Sequence, residues 1–475
     1  MLNRCLGGFG ALALNGLLGL EHKARAASAR TNRNPGALPK PLGPLHYPAQ
    51  AKSVIYLYME GGPSQVDTFD YKPELQRRHG QELPFKMPST VFNTGNRLMA
   101  SPFEFARHGQ SATWISELFP HLTKVADELT VINSLHHSTS NHTSACYFSH
   151  SGQPIAGHPS MGSWITYGLG SENANLPGFV VLDCGQSPSG GVQTWGNGFL
   201  PAQYQGAKFL SGEVTVEFLD RKEKVEGLQA SKMAAIRRLN LRRLDQRQED
   251  EALEAVIASY EKAARMQYAV PELMDYSDES EVTRKMYGVN ESHCSVFGSR
   301  CLIARRLVER GVRFVEVFSP PVKADRWDQH GNLKQGISRN AAAVDQPIAA
   351  LIRDLKARGL LDETIVLWGG EFGRTPVSQG GSGRDHNPFG YTVWVAGGGF
   401  KPGIRYGSTD PFGYYALHDK VHLHDLHATI LHQMGVDHEL LTYRYAGRDF
   451  RLTDVHGFVV ADLIEVGNGE QAHRG

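Results

Sequence analysis

Four short stretches of this sequence gather the side chains that can do chemistry. Trp327-Asp328-Gln329-His330 sets an acid and a histidine two residues apart, a spacing that lets one loop offer a carboxylate oxygen and an imidazole nitrogen to the same cation. Gly383-Arg384-Asp385-His386 repeats that mixed pair with the two residues adjacent. Trp368-Gly369-Gly370-Glu371-Phe372-Gly373-Arg374 adds a carboxylate, and Arg374 and Arg384 supply planar guanidinium forks that suit an anionic ester group. Glu60-Gly61-Gly62-Pro63-Ser64-Gln65-Val66-Asp67-Thr68-Phe69-Asp70 offers hard oxygen ligands on Glu60, Asp67 and Asp70 around a tight glycine turn. A fifth candidate, His142, follows Asn141 in a Ser/Thr-rich stretch; it could serve as nucleophile or general acid/base, while Asn141 and its neighbours are also ordinary helix caps. The 21 histidines fall unevenly, with one group from His136 to His158 and another from His418 to His438. Neutral imidazole is the commonest metal ligand. Together these residues point to a divalent cation, either zinc, calcium or manganese. A serine hydrolase is not indicated, because no G-x-S-x-G elbow is present. Ala396-Gly397-Gly398-Gly399-Phe400 lacks the Gly-Lys-Ser/Thr ending of a phosphate-binding loop and reads as a turn after a strand.

Side chains so far apart in the chain need a scaffold that ends its elements at one place. Short apolar runs at Val54 to Met59, Leu129 to Leu135, Phe179 to Leu182, Val312 to Phe318, Thr364 to Trp368 and Thr392 to Ala396 read as buried, mostly parallel strands. Helical patterns separate them. Val344, Ile348, Leu351, Ile352 and Leu355 recur at helical spacing, with Asp345 and Pro347 as the start and Gly359 as the stop, and Leu426 to Met434 forms a second amphipathic helix. The expectation is an α/β fold with a mostly parallel sheet sandwiched by helices, whose functional groups collect at the carboxyl ends of the strands. Residues 218–287 are rich in Lys, Arg, Glu, Ala and Leu and read as a helical insertion that either packs on the sheet or docks an envelope partner.

With 49 basic and 49 acidic residues among 475, the formal charge is zero, which argues against a nucleic-acid surface spread over the whole protein. The apolar run Cys5 to Leu20, preceded by Arg4 and followed by Ala27-Ser28-Ala29, reads as an export signal over residues 1–29 and not as a permanent membrane span. Its glycine-rich core suits twin-arginine export, although only one arginine precedes it. Five prolines between 30 and 50 mark a linker, and the folded part begins near Ala51. Cys294 and Cys301 lie seven residues apart in a helical pattern, too far to pair, and no CxxC spacing suggests a zinc–thiolate site.

The runs GGPSQVDTFD, ARRLVERGVRF, WDQHGN, RGLLDETIVLWGGEFGRTP, GRDHNP, AGGGFKPG and DLHATILHQMGV resemble the exported bacterial family called domain of unknown function 1501 across nearly all of the mature chain. That family is sulfatase-like and grouped with the alkaline phosphatase superfamily, which implies a metal site at strand ends in the periplasm or cell envelope. The resemblance implies that Glu60 or Asp67 is the first-strand acid and that Glu371 and the Asp328–His330 pair are ligands. It also implies that His386 or His424, beside Asp425, supplies a late histidine. The sequence departs from the pattern at Phe372, where a metal-binding histidine is expected. It also lacks the Cys-x-Pro-Ser-Arg nucleophile motif, which leaves His142, Thr143 or Ser144 as substitutes or the metal site activating water. The leading expectation is an exported, metal-dependent hydrolase of phosphate or sulfate esters on a small molecule or polysaccharide. The alternative is a catalytically silent envelope protein of the same fold that binds a metal or glycan.

Overall fold

Period-two burial organises the molecule around its first strand. In the computed structural model, which describes residues 43–88, 95–210, 271–321 and 326–465 with separate helical positions between 228 and 270, strand β1 spans Ser53–Tyr58 and is buried throughout. Ile55, Leu57 and Met59 enter one apolar cluster, whereas Val54, Tyr56 and Tyr58 enter another. A strand buried on both faces must lie inside a sheet with helices on either side.

The sheet has nine strands among the described residues. After β1 come β2 (Leu129–His136), β3 (Phe179–Leu182), β4 (Ala207–Phe209), β5 (Phe314–Phe318), β6 (Thr364–Gly369), β7 (Tyr391–Ala396), β8 (Ile404–Tyr406) and β9 (Val421–His422). In space the order is β8-β2-β7-β6-β1-β5-β3-β4, with β9 also paired to β2. Strands β5 and β6 flank β1 in parallel, and only β7 runs antiparallel, between β2 and β6. The expected mostly parallel, helix-covered sheet is present.

Helices α3 (Ser295–Glu309) and α4 (Leu333–Ala357) cover one face through Leu302, Leu307, Ile348, Leu351 and Leu355. Helices α1 (His142–Ser151), α2 (Met161–Leu169) and α5 (Leu423–Gln433) cover the other through Cys146, Phe148, Trp164, Leu426 and Ile430. Each such buried side chain contributes roughly 1.5–3 kcal/mol, so the two clusters dominate cohesion. Pro347 does not start α4, as its position suggested, but lies inside it; the helix begins earlier, at Leu333, and the apolar spacing alone marked only its second half.

Four cysteines are free and buried, Cys294 and Cys301 included. Among the described residues no helix is long and apolar enough to cross a membrane. The expected export signal and most of the linker lie outside the described residues, as does most of the segment 218–287. What is described of that segment is helical, including Glu281–Tyr287, apart from a turn over 275–280.

Candidate metal centre

Parallel strands deliver the loops that follow them to one edge of the sheet. There β1 leads into Glu60 and Gly61, β2 into α1 and its first residue His142, β5 into the loop bearing Asp328 and His330, and β6 into Glu371. Strand β7 runs the other way, so the residues that enter it reach the same edge. His386 and Asn387 pair there with Gly373 and Arg374.

His142, Asp328, His330 and His386 converge, with one ligand atom from each lying within 4.8 Å of all the others. Asp328 Oδ1 is the focus: Nε2 of His330 lies 2.9 Å away, and Nε2 of His142 and of His386 each lie 3.3 Å away. The opposite nitrogen of each ring is held by an acceptor. His142 Nδ1–H donates to Glu371 Oε1 at 2.6 Å, His386 Nδ1–H to the Ser140 carbonyl at 2.7 Å, and His330 Nδ1–H to Gln379 Oε1 at 2.5 Å. A carbonyl or carboxylate oxygen can only accept, so each Nδ1 carries a proton and each Nε2 faces Asp328.

Three ring nitrogens and a carboxylate oxygen so placed need positive charge among them. Burial opposes a charge on His142, but Asp328 and Glu371 outweigh it and lift the imidazole to about 9. Burial likewise opposes charge on Asp328, yet the three histidines and Arg374 hold its carboxyl far below the usual range. His386 is lowered, by burial first, with Arg374 and His142 adding to it against the pull of Asp328.

A metal ion fits this donor set. His142 Nε2 is buried without a formed hydrogen bond, and ligands about 2.0–2.1 Å from one ion lie roughly 3 Å from each other, which is the spacing from Asp328 Oδ1 to each of the three ring nitrogens. Asp328 and His330 remain partly exposed, with side-chain exposures of 35% and 28%, and so open the cluster to solvent.

The other residues singled out in the sequence fall outside this cluster. Glu371 is fully buried beside it; its Oε1 accepts from Gly61 N–H at 2.9 Å as well as from His142, and its Oε2 accepts from Tyr58 O–H at 3.0 Å. It orients His142. Glu60 accepts from the Ser189 hydroxyl at 2.7 Å and pairs with Arg326. Asp67 pairs with Arg384, Oδ2 to Nε at 2.7 Å, and both are fully buried. Arg374 donates to the carbonyls of Gly62 and Arg384 and, at 2.5 Å, to Asp328 Oδ1. Both arginines therefore fasten loops. Asp385 caps the His386 backbone N–H at 2.7 Å. His424 sits in the first turn of α5, donates to the Gly152 carbonyl at 2.8 Å and stacks on His456. Phe372 stacks on His386 with ring centroids 4.5 Å apart and lies 4.9 Å from His142. Asn141 caps α1 through Ser144 N–H, directly before His142. Tyr58, Gln379 and the Ser140 carbonyl carried no sequence signal: one is a buried strand residue, one a glutamine in a Gly/Ser loop, one a main-chain atom.

Known proteins resemble the chain at two levels. Solved structures similar to it include the PsFucS1 sulfatase from Pseudoalteromonas sp. (12% identity, covering 82% of this chain and 68% of that one, TM-score 0.36). The TAB5 alkaline phosphatase mutant is another (11%, 75% and 94%, TM-score 0.34), as is the phosphonate monoester hydrolase SpPMH from Silicibacter pomeroyi (12%, 67% and 68%, TM-score 0.33). No curated protein matches the sequence. The family model described as "Protein of unknown function (DUF1501)" matches residues 51–464, and the chain belongs to that family.

Proposed function

We propose that this protein is an exported hydrolase of phosphate or sulfate esters, built around one transition-metal ion held by His142, Asp328, His330 and His386. One observation carries the reading: three imidazoles, each with Nδ1–H tied to an acceptor, aim Nε2 at a single carboxylate oxygen. Nitrogen-rich donation favours zinc or manganese over calcium, which takes oxygen ligands. A bound ion supplies Lewis-acid polarisation of the ester oxygen and activation of water. The chain's own residues do the positioning: Glu371, Ser140 and Gln379 fix the ring tautomers, and Arg374 neutralises Asp328 and ties its loop to Gly62. Thr143 directs its hydroxyl to the Ser189 carbonyl at 3.5 Å, so the reading requires no covalent hydroxyl nucleophile.

The second reading, a catalytically silent envelope protein that binds a metal or glycan, is favoured by the commitment of both arginine forks to the protein itself. One experiment separates the two. Purified protein dialysed against metal-free buffer should retain about one equivalent of zinc or manganese by elemental mass spectrometry, and the loaded protein should turn over aryl phosphates or sulfates. Asp328→Ala should lose both properties and keep the fold. Metal without turnover on any ester points to the binding protein, and a folded chain that takes up no metal removes the centre altogether.

A further inference from the structure

Beneath the centre, on the α1 side of the sheet, lies a buried polar layer that the ligands do not explain. We propose that Tyr58 is a positioning residue which, through Glu371, fixes the ligating nitrogen of His142; the inference rests on the metal-centre reading. Glu371 is a fully buried carboxylate, and a buried anion holds one orientation only when donors engage both oxygens. Gly61 N–H and His142 Nδ1–H engage Oε1 at 2.9 and 2.6 Å. Oε2 has Tyr58 O–H at 3.0 Å, with Gly61 N–H secondary at 3.2 Å.

Tyr58 also lies 3.1 Å from Cys146 Sγ. Its single hydroxyl proton goes to the charged acceptor, because a charge-assisted bond is roughly twice as strong as a neutral one. The thiol is then left to donate to the phenol oxygen. Cys146 stands one helical turn after His142 in α1, so the same hydroxyl ties the sheet to the helix whose first residue is the ligand. The Tyr58 ring is clamped too. It meets His150 edge-on at 4.5 Å and Phe318 edge-on at 5.8 Å. His150 is pinned in turn by Glu316 at 2.5 Å and the Cys146 carbonyl at 2.6 Å. Pinned at its ring and aimed at Oε2, Tyr58 stops the carboxylate from rotating away from His142.

Tyr58→Phe removes the hydroxyl and keeps the ring contacts. In the full-length protein the dissociation constant for zinc, read by chelator competition, should rise about 10–100-fold, the usual loss when a group behind a ligand is removed. The visible absorption bands of the cobalt(II)-loaded form should shift, a change that altered packing alone does not produce. If the variant does not fold, Glu371→Gln replaces it: it removes the charge through which Tyr58 acts and should weaken zinc to a similar degree. Wild-type zinc affinity and an unshifted cobalt spectrum in the variant that folds overturn the inference while leaving the centre intact. Wild-type protein that binds neither ion overturns both.

Discussion

At the scale of single residues, the proposed centre would grade side chains by how directly they meet a bound ion. His386 presents Nε2 to Asp328 and is itself held by the Ser140 carbonyl, so under the proposed function His386→Ala removes a ligand. Gln379 touches only the far nitrogen of His330, so Gln379→Ala leaves every ligand in place but frees one ring to rotate. Zinc affinity should fall about 10–100-fold in Gln379→Ala and further in His386→Ala, measured by the same chelator competition. Equal affinities in the two variants would show that His386 is not a ligand. Asp328, His330 and His386 were legible in the sequence as candidates, since they stand in stretches with metal-ligand chemistry. Their grouping was not legible. Asp67, Asp385 and His424 have the same chemistry, and only tertiary structure pairs Asp67 with Arg384 and His424 with the Gly152 carbonyl.

At the scale of elements, the loops work because their backbones pass very close together. Gly61 has φ +109°, and a Cβ there would lie 2.6 Å from Asp328 N. Gly61→Ala therefore meets both a strained backbone and the loop that carries Asp328, and should cost stability and expel the ion. Metal content after gel filtration checks this; a variant that keeps a full equivalent would mean the loop has slack. Asn141 acts differently, capping α1 through the Ser144 N–H at 3.4 Å. Asn141→Ala should cost about 1 kcal/mol in urea unfolding and loosen His142 only mildly. The six apolar runs expected to be strands are all strands, within a residue or two at their ends. Their uniform appearance hid the reversal of β7, because a strand buried on both faces reads the same in either direction. That reversal is what brings His386 to the site. Strands β4, β8 and β9, two or three residues long, are too short for any periodicity to show.

At the scale of the whole molecule, acid should destabilise the metal-free protein through its buried neutral histidines. On the α5 side, neutral histidines are packed together: burial, followed by mutual repulsion with neighbouring histidines, depresses His422 to about 4 and His427 to about 3, against 6.5 when unfolded. His427 Nε2–H donates to the Ser149 carbonyl, and His422 caps α5. Between pH 6.5 and about 4.5 the unfolded chain takes up protons that these folded histidines refuse, so stability falls as pH falls. The slope is about 1.4 kcal/mol per pH unit for each such proton. His142 and His150, whose values are raised, act oppositely: they add stability that is fully present below 6.5 and is lost as pH rises through their folded values, so they do not flatten this acid limb. Urea melts of metal-free protein at pH 6.5, 5.5 and 4.5 should show the decline. His427→Gln, which keeps a donor near the Ser149 carbonyl but cannot be protonated, should reduce the slope by about one proton's share. A midpoint that does not move across that range would mean that the packed histidines take up protons while the protein stays folded, and that α5 does not depend on their neutrality.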